Sequence, residues 1–381
     1  MAIKEPPLTI GIKEEYLLID KETRDLANDP PAEMIAACNA RLSGQISPEF
    51  LRAQLEVETH VCKTVGEARA EIARLRRVVS EIAAPYGIGL IASATHPFAQ
   101  WDEQLHTDQD RYNELAIELQ AVVRRMLVCG MHVHVGVDDD DLRIDLMNQV
   151  SYFLPHLLAL STSSPFWRGD NTGLKSFRLS VFNGMPRSGL PDRVDSGAEW
   201  DRLIAQMVQV GMIEDATKLW WDVRPSGRYP TVEMRIADVC TRLDDGITVA
   251  ALYVCLLSML YRLRKSNQRW RLYPRVLIDG NRWLAQRHGV GGELVDFGLG
   301  QKVPYADLLD EIIDLVREDA ERLDCVAEVE NAREIVRRGT SADRQIKTYQ
   351  EALDGGADER EALVSVVDML MVETLIGTDG A

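Results

Sequence analysis

Three short stretches bring carboxylates, imidazoles and a guanidinium together at a spacing of two. Residues 131–138 read MHVHVGVD, residues 231–238 read TVEMRIAD, and residues 54–61 read QLEVETHV. A strand sends successive side chains to opposite faces. Met131, Val133, Val135 and Val137 therefore go to a core, and His132, His134 and Gly136 to the other face. In the second stretch Val232, Met234 and Ile236 face the core, opposed by Thr231, Glu233 and Arg235. In the third, Leu55, Val57, Thr59 and Val61 alternate with Glu56, Glu58 and His60. Any one of these reads equally well as an antiparallel strand with one wet face. Together they do not, because a wet face favours Thr, Lys and Ser over paired His and lone Glu. Carboxylates and an imidazole converging on one cleft suit a hard divalent cation, Mg²⁺ or Mn²⁺, with the phosphates of ATP supplying further oxygens.

Other chemistries fit less well. An HxH strand opens some zinc hydrolase sites, but those need further ligands at the ends of later strands. His156 falls inside a helix and His288 at a helix end, so the supply is poor. GIGLIA at 87–92 matches a dinucleotide loop loosely, yet it lies within a strand rather than at a strand-to-helix turn. FGLGQK at 297–302 lacks the GK[ST] of a P-loop, and no GxSxG elbow is present.

The elements that must position these residues follow from periodicity. Strands are expected over 8–20, 54–61, 87–94, 131–138, 220–224 and 231–239, which are rich in Val, Ile and Thr. A helix over 64–84 starts at Thr64, with Glu67 completing a capping box. Others are expected over 108–129, stopped by Gly130, and over 140–161 despite Pro155. Later ones fall near 196–211, 244–265, 268–287, 304–322, 326–338, 342–353 and 358–375. The stretch 168–193, with several Gly and Pro, is the longest without periodicity and reads as a lid or binding loop. A sheet-rich part over 1–240 followed by a helical part over 241–381 predicts an α+β protein built on one antiparallel or mixed sheet. If the C-terminal helices arch over the polar sheet face, it becomes a cleft.

Composition bounds the function. The formal charge of −17 argues against a nucleic-acid partner, which needs a basic face. It does not exclude a nucleotide bound through divalent ions. Six cysteines with no CxxC pair predict reduced thiols and a cytoplasmic setting. The first twenty residues carry no apolar run or cleavage site of a signal peptide. The run 247–263 is apolar, but Thr248, Ser258 and Arg262 interrupt it, so a buried core helix rather than a membrane partner is expected.

The same residues carry a resemblance. GIKEEYLLID at 11–20, LEVETHVC at 55–62, ATHPF at 94–98, DRY at 110–112, CGMHVHVGV at 129–137, SPFWRGDNTG at 164–173, WDVRPS at 221–226 and TVEMRIAD at 231–238 stand in that order. The chain thus resembles the bacterial carboxylate–amine ligase family, the type 2 branch of the glutamate–cysteine ligases. The match runs from about residue 8 to 265 and continues more loosely beyond. It implies a single catalytic domain over 1–381, with a glutamine-synthetase-like sheet forming a cleft covered by helices. It also implies ATP with Mg²⁺ or Mn²⁺, a homodimer, and a two-step ligation of glutamate to cysteine or another amine through an acyl phosphate. Carried over by position, Glu15, Glu56, His132 and Glu233 match metal ligands, and Glu49, seven residues before Glu56, matches a further carboxylate. Arg235 matches a cleft arginine facing phosphate and, with Glu233, the catalytic pair. Arg178 matches a loop arginine that grips substrate carboxylate through bidentate pairing. Arg224, Arg111 and His134 are further candidates for substrate contact, a structural ion pair being the alternative for both arginines.

One position departs from the pattern. The family's first strand reads Glu-x-Glu, and here the first of those positions is Lys13. Lys13 and Glu15 share a face, so a cation replaces a metal ligand and weak activity is expected. Two rivals stay open: an impaired relative that binds nucleotide or amino acid without turnover, and a metal-dependent hydrolase. The acidic cleft itself makes a prediction. Calorimetry should show ATP binding in the presence of Mg²⁺ or Mn²⁺ and little binding in excess chelator; equal binding in both would contradict a metal-bridged site.

Overall fold

The computed structural model describes residues 4–379; for Arg111 it describes the backbone only. Alternating residues make β1 (Ile10–Asp20) the longest strand, and it lies inside a seven-stranded sheet. The others are β2 (Ile46–Pro48), β3 (Gln54–Glu58), β4 (Ile88–Ile91), β5 (Met131–Gly136), β10 (Val223–Pro225) and β11 (Thr231–Met234). Their order is β10-β11-β5-β1-β3-β2, with β4 pairing the last four residues of β1, and every pairing is antiparallel. Three two-stranded ribbons stand apart: β6 (Phe166–Trp167) with β7 (Asp170–Asn171), β8 (Ser188–Gly189) with β9 (Trp220–Trp221), and β12 (Glu293–Asp296) with β13 (Gln301–Pro304). The α+β expectation holds.

The helices are α1 (Ala32–Leu42), α2 (Val65–Ala83), α3 (Asp110–Leu119), α4 (Ala121–Arg124), α5 (Asp140–Val150), α6 (Leu154–Ser161), α7 (Arg178–Phe182), α8 (Gly197–Gln209) and α9 (Leu243–Lys265). The C-terminal part adds α10 (Arg275–His288), α11 (Tyr305–Arg322), α12 (Val326–Arg338), α13 (Ser341–Asp354) and α14 (Glu359–Thr374). Thr64 caps α2 as expected, its hydroxyl accepting the Glu67 N–H at 3.1 Å. Helix α9 is long and apolar enough to cross a membrane by length and composition, but 89% of its most apolar window is buried inside the protein.

Several boundaries differ from expectation for local reasons. The helix expected over 140–161 is broken by a 3₁₀ turn at Ser151–Phe153, so Pro155 sits in the first turn of α6, where its missing N–H costs no hydrogen bond. The one expected over 108–129 breaks at Gln120, whose φ is 49°, and α4 ends at Arg124. Strand β3 stops at Glu58, leaving Val61, expected in the core, 77% exposed. The stretch over 220–224 divides between β9 and β10, and the 168–193 region holds α7 and short strands rather than a loop throughout. Helix α1, strand β2 and the β12–β13 hairpin were not expected.

The C-terminal helices do not arch over the polar face. Helices α9, α2 and α5 pack against the other, apolar face, where Tyr253 donates to the Val232 carbonyl at 3.3 Å. There β1 also buries a charge. Glu14 accepts from Arg76 Nε at 2.9 Å and Nη2 at 2.7 Å, and from the Tyr16 hydroxyl at 2.5 Å. The remaining Arg76 N–H groups reach the carbonyls of Cys240 (2.8 Å), Thr241 (2.6 Å) and Thr374 (3.2 Å). Removing one partner of such a buried pair strands the other charge. Arg76→Ala is therefore expected to cost about 3–5 kcal/mol in denaturant unfolding. The same change at Arg41, in an exposed pair with Glu81, should stay within about 0.5 kcal/mol.

Candidate active site

Sheet register assembles the polar face. Lys13 lies opposite His132 on one side and Glu58 on the other, Glu15 opposite Glu56, and Glu233 between His134 and Arg224. These side chains line a cavity of about 440 Å³. Its cover comes from Tyr112 and Leu115 of α3, Val123 of α4, Phe182 of α7 and the 217–229 segment, all preceding the helical C-terminal part.

Negative charge gathers on the β1–β3–β2 side. Glu15, Glu56 and His132 each offer one ligating atom, and these three atoms lie within 4.8 Å of one another. Glu15 Oε2 accepts the Gly130 N–H at 2.7 Å, while Oε1 stands 3.8 Å from His132 Nε2. Glu49 lines the same cavity, one oxygen accepting the Phe50 N–H at 3.3 Å. Burial pushes the Glu15 carboxyl up against the pull of Arg178. Burial, and then Glu15 and Glu56, push that of Glu49 well above the usual range. Burial holds both His132 and His134 below the ordinary imidazole value, and hence neutral. Neutral imidazole and crowded carboxylates are the donor set of a divalent cation, so these residues fit one.

Lys13 reaches into this group. Its Nζ lies 2.8 Å from Glu56 Oε1 and 3.0 Å from Glu58 Oε2. Burial works to lower its pKa, but the two carboxylates overcome that and hold the ammonium charged.

Positive charge gathers on the β11–β10 side. Glu233 accepts from Arg224 Nε at 2.9 Å and from Arg235 Nη1 at 2.6 Å. Burial works to raise its carboxyl, and Arg235 and Arg224 overcome it, keeping it well below the usual range. Glu233 is thus engaged by two arginines, apart from the Glu15–Glu56–His132 group. Arg235 also contacts His132 Nδ1 at 3.3 Å, and Arg224 donates to the carbonyls of Thr217 (2.9 Å) and Leu219 (2.5 Å). His134 bonds the Thr231 hydroxyl through Nδ1 at 2.9 Å. Arg178 donates to the carbonyls of Arg235 and Ile236, both at 3.2 Å, beside Asp238 at 3.8 Å. Among the described residues, three buried atoms of cavity-lining side chains have no hydrogen-bond partner: Arg178 Nε, Arg235 Nε and His134 Nε2, the last standing 3.9 Å from Glu233 Oε1. Arg111 lies in α3, and its side chain is outside the described residues.

Two positions escaped sequence reasoning as parts of the site. A Cβ on Gly130 would meet Arg178 Nη2 at 2.4 Å, so the glycine gives Arg178 its room as well as holding Glu15. Asp238 accepts from the Ser163 N–H (3.0 Å) and the Ser164 and Ser176 hydroxyls (2.8 and 2.9 Å), tying the 163–178 segment to the stretch that follows β11. Both residues stand inside motifs noted above, but what they do depends on partners far away in sequence.

This fold recurs in solved ligases. A bifunctional glutathione synthetase from Pasteurella multocida matches with a TM-score of 0.69 at 13% identity over 96% of this chain, which spans about half (52%) of that one. A glutamate–cysteine ligase from Francisella tularensis, solved in complex with AMP, matches with a TM-score of 0.67 at 13% identity over 99% of this chain and 91% of its own. The chain shares the fold of these two ligases. The family model for glutamate–cysteine ligase family 2 matches residues 9–365, and the chain belongs to that family of ATP-dependent carboxylate–amine ligases. Similar proteins named "Putative glutamate--cysteine ligase 2" occur in Rhodospirillum rubrum, 56% identical over 99% of this chain and 98% of the relative, and in a Jannaschia species, 52% identical over 95% and 96%.

The crowding of carboxylates carries a pH signature. A carboxyl whose folded pKa is raised costs stability once pH exceeds its ordinary range, and the cost is complete above the folded pKa. Glu49→Gln should therefore melt above the parent near pH 8 and close to it near pH 4, as followed by circular dichroism. A variant that melts below the parent at pH 8 would show that Glu49 is held by a favourable partner.

Proposed function

We propose that this chain joins the γ-carboxylate of glutamate to the amine of cysteine, or to another amine, at the expense of ATP and through an acyl phosphate. The observation that carries the reading is the division of charge within one cavity. Arginines converge on the β11–β10 side and carboxylates on the β1–β3–β2 side, and on the arginine side three buried nitrogen atoms lack hydrogen-bond partners among the described residues. Polyphosphate and acid suit the first side; cations and an amine suit the second.

Phosphoryl transfer asks a protein chiefly for positioning and charge neutralisation. A glutamate γ-carboxylate oxygen attacks the γ-phosphorus of ATP, and ADP leaves. The free-base amine then attacks the acyl carbon, forms the amide with loss of a proton, and expels phosphate. Arg235 is anchored by Glu233 yet keeps Nε free, which suits it to the equatorial oxygens of the transferring phosphoryl group. Arg178, fixed by two backbone carbonyls with its own Nε free, suits the substrate carboxylate. Arg224 keeps Glu233 in place rather than touching substrate. Glu15, Glu56 and His132, with Glu49 nearby, would hold Mg²⁺ or Mn²⁺, which when bound neutralises phosphate charge. The proposal includes a cytoplasmic homodimer.

The Lys13–Glu56 contact favours slow turnover, because the ammonium occupies a carboxylate of that group. A second reading rests on the same contact: a relative that binds nucleotide without ligating. ADP release measured over pairs of acids and amines separates the two. Ligation predicts release that requires both an acid and an amine, whereas nucleotide-stabilised melting with no release for any pair would favour the second reading. Arg235→Gln should lower kcat by about 10²–10³-fold with nucleotide binding retained. An unchanged kcat would remove Arg235 from the reaction.

A further inference from the structure

The cleft holds four carboxylates on one side, and among the described residues one ammonium is placed between two of them. The β1–β3 register sets Lys13 directly across from Glu58 and two pairs from Glu56, on the same face. Both carboxylates are therefore within reach of one Nζ, at 2.8 and 3.0 Å, and the side chain is only 21% exposed. Glu56 Oε1 also accepts the Ser47 hydroxyl at 3.2 Å. That oxygen is doubly occupied, which leaves Oε2 for any other ligand. The cavity still calls for a cation: Glu15, Glu56 and His132 converge within 4.8 Å, and His132, itself only 4% exposed, holds its Nε2 3.8 Å from Glu15 Oε1.

We infer that Lys13 is a built-in counter-cation: its ammonium takes the part of one mobile divalent ion, so the cleft binds a single divalent cation at Glu15, Glu56 and His132. Glu58 is then the positioning residue that holds the ammonium on the Glu56 Oε1 side. The inference rests on the ligase reading only in taking the cation to be Mg²⁺ or Mn²⁺. Two divalent ions sharing these carboxylates would place one of them against a fixed positive charge a few ångströms away, and like charges at that distance repel strongly where water is scarce. A lysine stem could retreat to solvent, but two short contacts and a side chain only 21% exposed oppose that.

The test counts Mn²⁺ on the full chain without nucleotide, by the electron paramagnetic resonance signal of the free ion. The parent should bind one Mn²⁺ per chain, and Lys13→Glu should bind two, with the first at least tenfold tighter. Lys13→Met, which removes the charge without adding an acid, should tighten the first ion as well and serves if Lys13→Glu fails to fold. A parent that binds two ions or none, or variants with the parent's stoichiometry and affinity, would overturn the inference. A chain that binds one Mn²⁺ but releases no ADP with any acid and amine would instead overturn the ligase reading and leave the role of Lys13 standing.

Discussion

Strand β1 faces two opposite electrostatic problems, and the buried Glu14–Arg76 pair is how it meets the first. A guanidinium has five N–H donors. Those of Arg76 find two oxygens of Glu14 and the carbonyls of Cys240, Thr241 and Thr374. That single side chain joins α2, the central strand, the approach to α9 and the end of α14. A buried ion pair left half-satisfied would destabilise the sheet; a fully bonded one makes the central strand a fixed platform. The register of β3 and β5 on β1 then decides which side chains meet on the other face.

On that other face the problem is an excess of carboxylate. Glu15, Glu49, Glu56 and Glu58 share a cavity with Lys13, while Arg224 and Arg235 are spent largely on Glu233. The protein leaves Glu15 and Glu49 with raised pKa values and His132 and His134 neutral. Groups held away from their ordinary protonation behaviour cluster where ligands bind. The nitrogens of Arg178 and Arg235 without hydrogen-bond partners among the described residues add open donors to the same cavity. On the proposed function, phosphate, carboxylate and cation would complete these electrostatics.

Much of this was legible in the sequence because period-2 alternation is a strong local signal. The facing of His132 and His134, of Glu233 and Arg235, and of Lys13 with Glu15 follows from spacing alone, and the structure places each on the cleft. What lay beyond reach depended on partners distant in sequence. Val61 continues the alternation but follows the end of β3, so it stands in solvent. Glu233 reads as a free cleft acid until Arg224, across the β10–β11 pairing, closes on it. The helical C-terminal part has the composition of a cover, yet the apolar back of the sheet is the larger surface to bury and takes it. Gly130 reads as a helix stop, and only the Arg178 guanidinium beside it shows why no side chain fits there.

The central claim is that a carboxylate is activated by phosphoryl transfer in this cleft. Glutamate carrying ¹⁸O in its γ-carboxylate tests it directly. Turnover with ATP and an amine should place one ¹⁸O in each inorganic phosphate released and leave the other in the amide. Phosphate released without ¹⁸O while ATP is consumed would contradict an acyl phosphate and, with it, this account of the site.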